Sequence, residues 1–173
     1  MRELRSLFKC CVLILFFATS FTTQNTLAQE GYKGIIPMVS TCKDVKRLLG
    51  VGGCGKVEET FKFAQETMQI NYSTKKCDKF YGERWNTPIG TVVGIQLFFK
   101  DPHKLEQLGI AINEAEYKKS NTDVINQVIY DKKNGGISFI ISNNYVTEIN
   151  YRPSFSDKLK LCKKPLQRKL FSN

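Results

Sequence analysis

Thr67-Met68-Gln69-Ile70-Asn71-Tyr72 decides how this chain is read. Met68, Ile70 and Tyr72 fall on one side of an extended chain, and Thr67, Gln69 and Asn71 fall on the other. That is the period-two pattern of a strand with one buried face. Before it, Thr60 to Ala64 alternates in the same way, separated by Gln65-Glu66; after it, Thr91 to Phe99 supplies a third run. Further upstream, Ser40-Thr41-Cys42-Lys43-Asp44 reads as a helix start, with Thr41 and Asp44 spaced as a capping box that uses Asp in place of Glu. Cys42, Val45, Leu48 and Leu49 then share one helical face, and Gly50 stands where a left-handed glycine ends a helix.

The same order recurs downstream. Lys104 to Leu108 and Glu114 to Lys118 are short helical candidates, followed by strand runs over Val124 to Tyr130, Gly136 to Ser142 and Tyr145 to Tyr151. Asn134-Gly135 and Asn143-Asn144 mark tight turns whose central residues take positive φ. The expected fold is therefore α+β: tandem units over 34–99 and 100–153, each a helix plus a three-stranded antiparallel meander, with the helices on one face of the sheet. The expected core is Val45, Leu48, Leu49, Met68, Ile70, Val93, Ile95, Leu97, Ile129, Phe139, Ile141, Val146 and Ile149.

Gly34-Ile35-Ile36-Pro37-Met38-Val39-Ser40-Thr41, Asp44-Val45 and Leu48-Leu49-Gly50 resemble the opening of the small outer-membrane β-barrel-assembly lipoproteins. Doubling that unit resembles the β-lactamase-inhibitor-protein fold. The layout is also similar to uncharacterised exported bacterial proteins that carry one cysteine before the first hairpin and another after it. The resemblance implies a protein-binding or scaffolding role and brings no catalytic residues. It departs from the lipoproteins at the lipidation cysteine: Cys10 and Cys11 open the apolar run instead of following it.

The ends set the expected compartment. Arg2, Arg5 and Lys9 precede the apolar run Cys10 to Ala18, and small residues close at Ala28, so residues 1–28 read as a cleaved signal peptide. The apolar run is about half the ~20 residues a membrane span needs. The expected location is exported, periplasmic or extracellular. The chain carries +10, and much of the excess lies in the expected basic tail, 154–173, where Lys158, Lys160, Lys163, Lys164, Arg168 and Lys169 face only Asp157. Such a tail suits weak contact with an anionic surface, at about 1 kcal/mol per basic residue near a membrane. Nucleic acid is not expected, because no recognition motif accompanies the charge.

Four cysteines remain after the leader: Cys42, Cys54, Cys77 and Cys162. An even number in an exported chain reads as two disulfides with three connectivities open. Topology favours Cys54 with Cys77, which flank the first hairpin, and by elimination Cys42 with Cys162. No metal is expected, since Cys-x-x-Cys is absent and His103 is the sole histidine.

Gly50-Val51-Gly52-Gly53-Cys54-Gly55-Lys56 spells a phosphate-loop pattern, but a helix precedes it and a strand follows, the reverse of the order that aims N–H groups at phosphate. Val57 also stands where a Mg²⁺-holding hydroxyl belongs, so no cofactor is expected. Asn71-Tyr72-Ser73 is a glycosylation sequon, relevant only in a eukaryotic source. His103, in Lys100-Asp101-Pro102-His103-Lys104, reads as an exposed turn residue, and no catalytic constellation accompanies it. The long connection 74–90 holds Phe80, Tyr81, Arg84 and Trp85, residue types that dominate binding hot spots. These four are the candidate binding residues, the competing reading being that Trp85 folds onto the core. The expected function is an exported, non-catalytic protein-binding or envelope-scaffolding module. The alternatives are an inhibitor-like module acting through the 74–90 loop, or a small secreted hydrolase.

Overall fold

The computed structural model describes residues 31–162. The leader reading, and Lys163, Lys164, Arg168 and Lys169 of the tail, lie outside the described residues. In chain order the elements are α1 (Cys42–Leu49), β1 (Glu58–Lys62), β2 (Glu66–Tyr72), β3 (Asp78–Phe80), β4 (Glu83–Trp85), β5 (Val92–His103), β6 (Tyr117–Asn121), β7 (Gln127–Lys132), β8 (Gly135–Ser142) and β9 (Tyr145–Ser154). Seven strands make one sheet in the order β1-β2-β5-β9-β8-β7-β6, every neighbouring pair antiparallel, and β3–β4 stand apart as a hairpin.

Alternation builds one apolar face across this sheet. Met68 lies opposite Leu97, Ile70 opposite Ile95, Leu97 opposite Ile149, and Ile149 opposite Phe139. All of these side chains are buried. The other face is polar, and one row runs Thr60, Gln69, Gln96, Asn150, Ser138, Asp131 and Lys118 from edge to edge.

Helix α1 forms as its sequence dictates. The Asp44 carboxylate accepts the Thr41 backbone N–H at 2.9 Å and its hydroxyl at 2.8 Å, and Gly50 ends the helix at φ 71. Cys42 and Val45 are buried and Leu49 packs partly against the core. Leu48 does not belong to the core: it is 40% exposed at the last turn, beside the Gly34 loop. Ile129 is likewise only half-buried, because its position in β7 points to the polar face.

The expectation of an α+β fold built of tandem helix-plus-meander units is overturned: the described residues form a mostly antiparallel β structure around one seven-stranded sheet. One α-helix, not two, accompanies the sheet among the described residues. Lys104 to Leu108 contains only a 3-10 turn, Leu105–Leu108, closed by Gly109 in the left-handed region. Glu114 to Lys118 is a turn running into edge strand β6. Three helix-forming residues there cannot repay helix nucleation, whereas extending the chain lets Tyr117 to Asn121 pair with β7. Val124 and Ile125 turn out to be exposed turn residues before β7. The Asn143-Asn144 turn has both φ values positive, at 51 and 67. At Asn134-Gly135 the positive φ values shift by one residue, to Gly135 and Gly136.

The expected disulfide pairing is also corrected. Cys42 bonds Cys54, and Cys77 bonds Cys162. Cys54 and Cys77 do flank the β1–β2 hairpin, but the chain diverges beyond its open end. The glycine-rich link folds back to the start of α1, while Cys77 leads into β3. The domain accordingly continues past residue 153. A 3-10 helix, Phe155–Lys160, returns the chain so that Leu161 bridges Trp85 and the Cys162 N–H donates to the Arg84 carbonyl at 2.9 Å.

Candidate functional site

The 74–90 segment contains the β3–β4 hairpin, tied to the C-terminal segment by the Cys77–Cys162 disulfide before β3 and by the Trp85–Leu161 bridge at the end of β4. Tyr81 and Gly82 form its two-residue turn at φ 49 and 82. A non-glycine residue at positive φ is uncommon and marks a position held by its surroundings. Here the Tyr81 hydroxyl lies over Gly94 on the polar sheet face, so close that a β-carbon at 94 would collide with it. Burial foremost, with Glu148 adding to it and Arg152 opposing, pushes the Tyr81 phenol above its ordinary pKa of 10. The ring body remains partly exposed.

The four expected binding residues separate. Trp85 is buried in a small second cluster with Met38 and Val93, flanked by Phe80 and Leu161, and its indole N–H donates to the Phe80 carbonyl at 3.1 Å. Trp85 is thus chiefly a packing residue, and Phe80 packs with it. The Arg84 side chain is exposed and takes no part in the cleft described next. Tyr81 alone offers both exposed ring surface and a fixed position.

Between the hairpin and the β7–β8–β9 end of the sheet lies a cleft of about 380 Å³. Tyr81, Trp85, Pro153, Phe155 and Leu161 supply its apolar lining. Its charged lining has five cations, Lys118, Lys132, Lys133, Arg152 and Lys158, against Glu83 and Asp131. Arg152 donates to Asp131 at 2.6 Å, and the Lys158 ammonium sits 3.6 Å from the centroid of the half-exposed Phe155 ring. Lys160 turns away, donating to the Met38 carbonyl and to the buried Asp157 at 3.0 Å each. The sequence brought Tyr81 and Trp85 forward, and Lys158 only as part of the basic tail, but missed Arg152, Phe155, Lys118, Lys132 and Lys133, which arrive from β6, β7, the β7–β8 turn, β9 and the 3-10 helix.

The glycine loop serves the fold. Gly53 N–H donates to the buried Glu59 at 2.8 Å, and the same carboxylate accepts the Tyr72 hydroxyl at 2.9 Å and faces the Lys56 ammonium at 3.1 Å. Burial works against Glu59 ionisation, yet these partners together hold its pKa below the usual value.

His103 is not a turn residue. It ends β5, opposite Val146, and meets Phe99 edge-on at 5.2 Å. It and Glu66 line one cavity, but no hydrogen bond joins them and no serine or cysteine lines the space. Among the described residues, no group of three or more His, Cys, Asp or Glu is placed to hold a metal ion, and no helix is long and apolar enough to cross a membrane. The two disulfides are those of a chain matured in an oxidising, exported compartment.

Comparison with protein-family models, with curated proteins and with solved structures returns no match. The functional reading therefore rests on the geometry of the cleft.

Proposed function

We propose that this chain is an exported, non-catalytic binding module whose hairpin cleft receives an acidic segment of a partner protein or envelope component. One observation carries the reading: a hairpin tied down by the Cys77–Cys162 disulfide holds Tyr81 over Gly94 beside a cleft with apolar lining residues and a majority of cations. Aromatic and arginine side chains in a concave site are the usual anchors of recognition. The surrounding charge favours anionic partners and speeds their capture at low salt. The hairpin tip lies against the sheet, which favours a receiving surface over an inhibitor that inserts into an enzyme. A periplasmic or extracellular envelope setting suits this role.

The test titrates labelled peptides of alternating Glu and Phe, and their Lys counterparts, against the protein lacking residues 1–28. The acidic peptide should bind, weaken with salt, and weaken at least about tenfold in the Lys133→Glu/Lys158→Glu double variant. Equal binding of both peptides, or indifference to the charge reversal, would reject the proposal.

A further inference from the structure

After β5 the chain must reach the far edge of the sheet, and residues 104–116 cross the apolar face to do so. Leu105, Leu108, Ile110 and Ile112 touch the core while the residues between them are largely exposed. A strap that touches at intervals leaves open space beside it. A wide trough of about 800 Å³ lies along the strap near Leu105, rimmed by Lys104, Glu106 and Asn126. A second cavity, of about 400 Å³, lies by Leu108 and Ile110. Leu97, Ile137 and Ile149 of β5, β8 and β9 line it, with Phe99 beside them.

Its polar lining is Tyr32, Gln65, Glu66, His103 and Tyr151, and the charged contacts centre on Glu66. The Tyr32 hydroxyl donates to Glu66 Oε1 at 2.8 Å, and the Lys33 ammonium lies 3.3 Å from the same oxygen. Lys33 also stands over the Tyr32 and Phe63 rings, at 5.0 and 4.6 Å from their centroids. The ring of Tyr32 stacks on that of Tyr151 at 6.2 Å. The carboxylate and the ammonium thus offset one another locally. An anionic headgroup would be set against Glu66, and a cationic one would have to displace Lys33. An uncharged ligand meets neither penalty, and a ligand hydroxyl would have Glu66 as its acceptor.

We propose that this cavity is a binding site for an uncharged apolar small molecule larger than a single aromatic ring, distinct from the hairpin cleft. Apolar cavities of about 150 Å³ take up benzene, and small-molecule sites run from roughly 300 to 1,000 Å³ with mainly apolar walls and few polar groups. The strap, half-exposed and closed by few contacts, gives the route of entry.

The experiment titrates the uncharged fluorophore N-phenyl-1-naphthylamine into the protein lacking residues 1–28. Saturable, one-to-one enhancement is expected. Leu108→Trp and Ile110→Trp, which fill the cavity from the strap, should each weaken it at least about tenfold, while Ile125→Ser, at an 87% exposed turn, should leave it unchanged. Methyl NMR of the unmutated protein gives an independent reading: shifts should concentrate at Leu97, Ile110, Ile137 and Ile149. The anionic analogue 1-anilinonaphthalene-8-sulfonate should bind more weakly. Absence of saturable binding, filled variants that bind as well as the parent, shifts elsewhere, or equal affinity for the anionic analogue would overturn the proposal.

Discussion

The Tyr81 hydroxyl occupies the space in which a β-carbon on residue 94 would stand, so hairpin tip and central strand are fitted to one another. Glycine weakens a strand interior and often marks a close approach, and here the approaching group is the tip of the β3–β4 hairpin. Gly94→Ala should lift Tyr81 off the sheet at little cost to the fold, because the displaced atoms lie at the far end of one side chain. The raised Tyr81 phenol pKa should then fall toward 10. Tyrosine-selective NMR titration reads it; an unchanged Tyr81 titration would show that the contact does not hold the hairpin.

Trp85→Ala should destabilise the domain by about 3–5 kcal/mol, the usual range for deleting a buried aromatic. Its indole ring ties the hairpin to Met38, Val93 and Leu161. Thermal and denaturant midpoints check this, and a change below about 1 kcal/mol would mean that the small cluster packs without it.

Stability should fall as the solution is acidified below about pH 4. The Thr41 backbone N–H first, then its hydroxyl, then Arg47, hold the Asp44 carboxyl at about 2 against an ordinary 3.8. A group with a depressed folded-state pKa contributes fully above its unfolded value, and the contribution is lost as pH falls through the folded value. Glu59 is shifted the same way. Asp44→Asn should flatten part of the decline between about pH 4 and 2, measured as urea midpoints across that range. A parallel curve for the variant would remove the cap from the account.

Non-reducing peptide mapping should recover Cys42 with Cys54 and Cys77 with Cys162. In the chain-entropy picture the 85-residue separation contributes more than the 12-residue one, roughly 4–5 against 3 kcal/mol. Cys77→Ser with Cys162→Ser should therefore lower the midpoint more than Cys42→Ser with Cys54→Ser. Recovery of a 54–77 link would contradict the fold of the C-terminal segment.

Local patterns were readable in the chain, and long-range choices were not. Met68, Ile70 and Tyr72 announce a strand because alternation is a property of six consecutive residues. Thr41 and Asp44 announce α1 because both halves of the cap lie within one turn. Nothing local distinguishes Glu114-Ala115-Glu116 as a turn, since pairing with β7 outweighs helix propensity there. The burial of Trp85 depends on Met38 and Leu161, far away on either side in sequence. The same holds for the cleft: Tyr81 was visible as a hot-spot residue, whereas Lys118, Lys133, Arg152 and Phe155 converge only once the sheet has formed.

The most direct measurement is the map of amide shifts when the acidic Glu/Phe peptide is titrated into isotopically labelled protein. Perturbations should centre on Tyr81 to Glu83, Lys132 to Gly135 and Arg152 to Lys158, around the cleft. Shifts centred instead on α1, on the β1 edge or on the strap would contradict binding at the cleft.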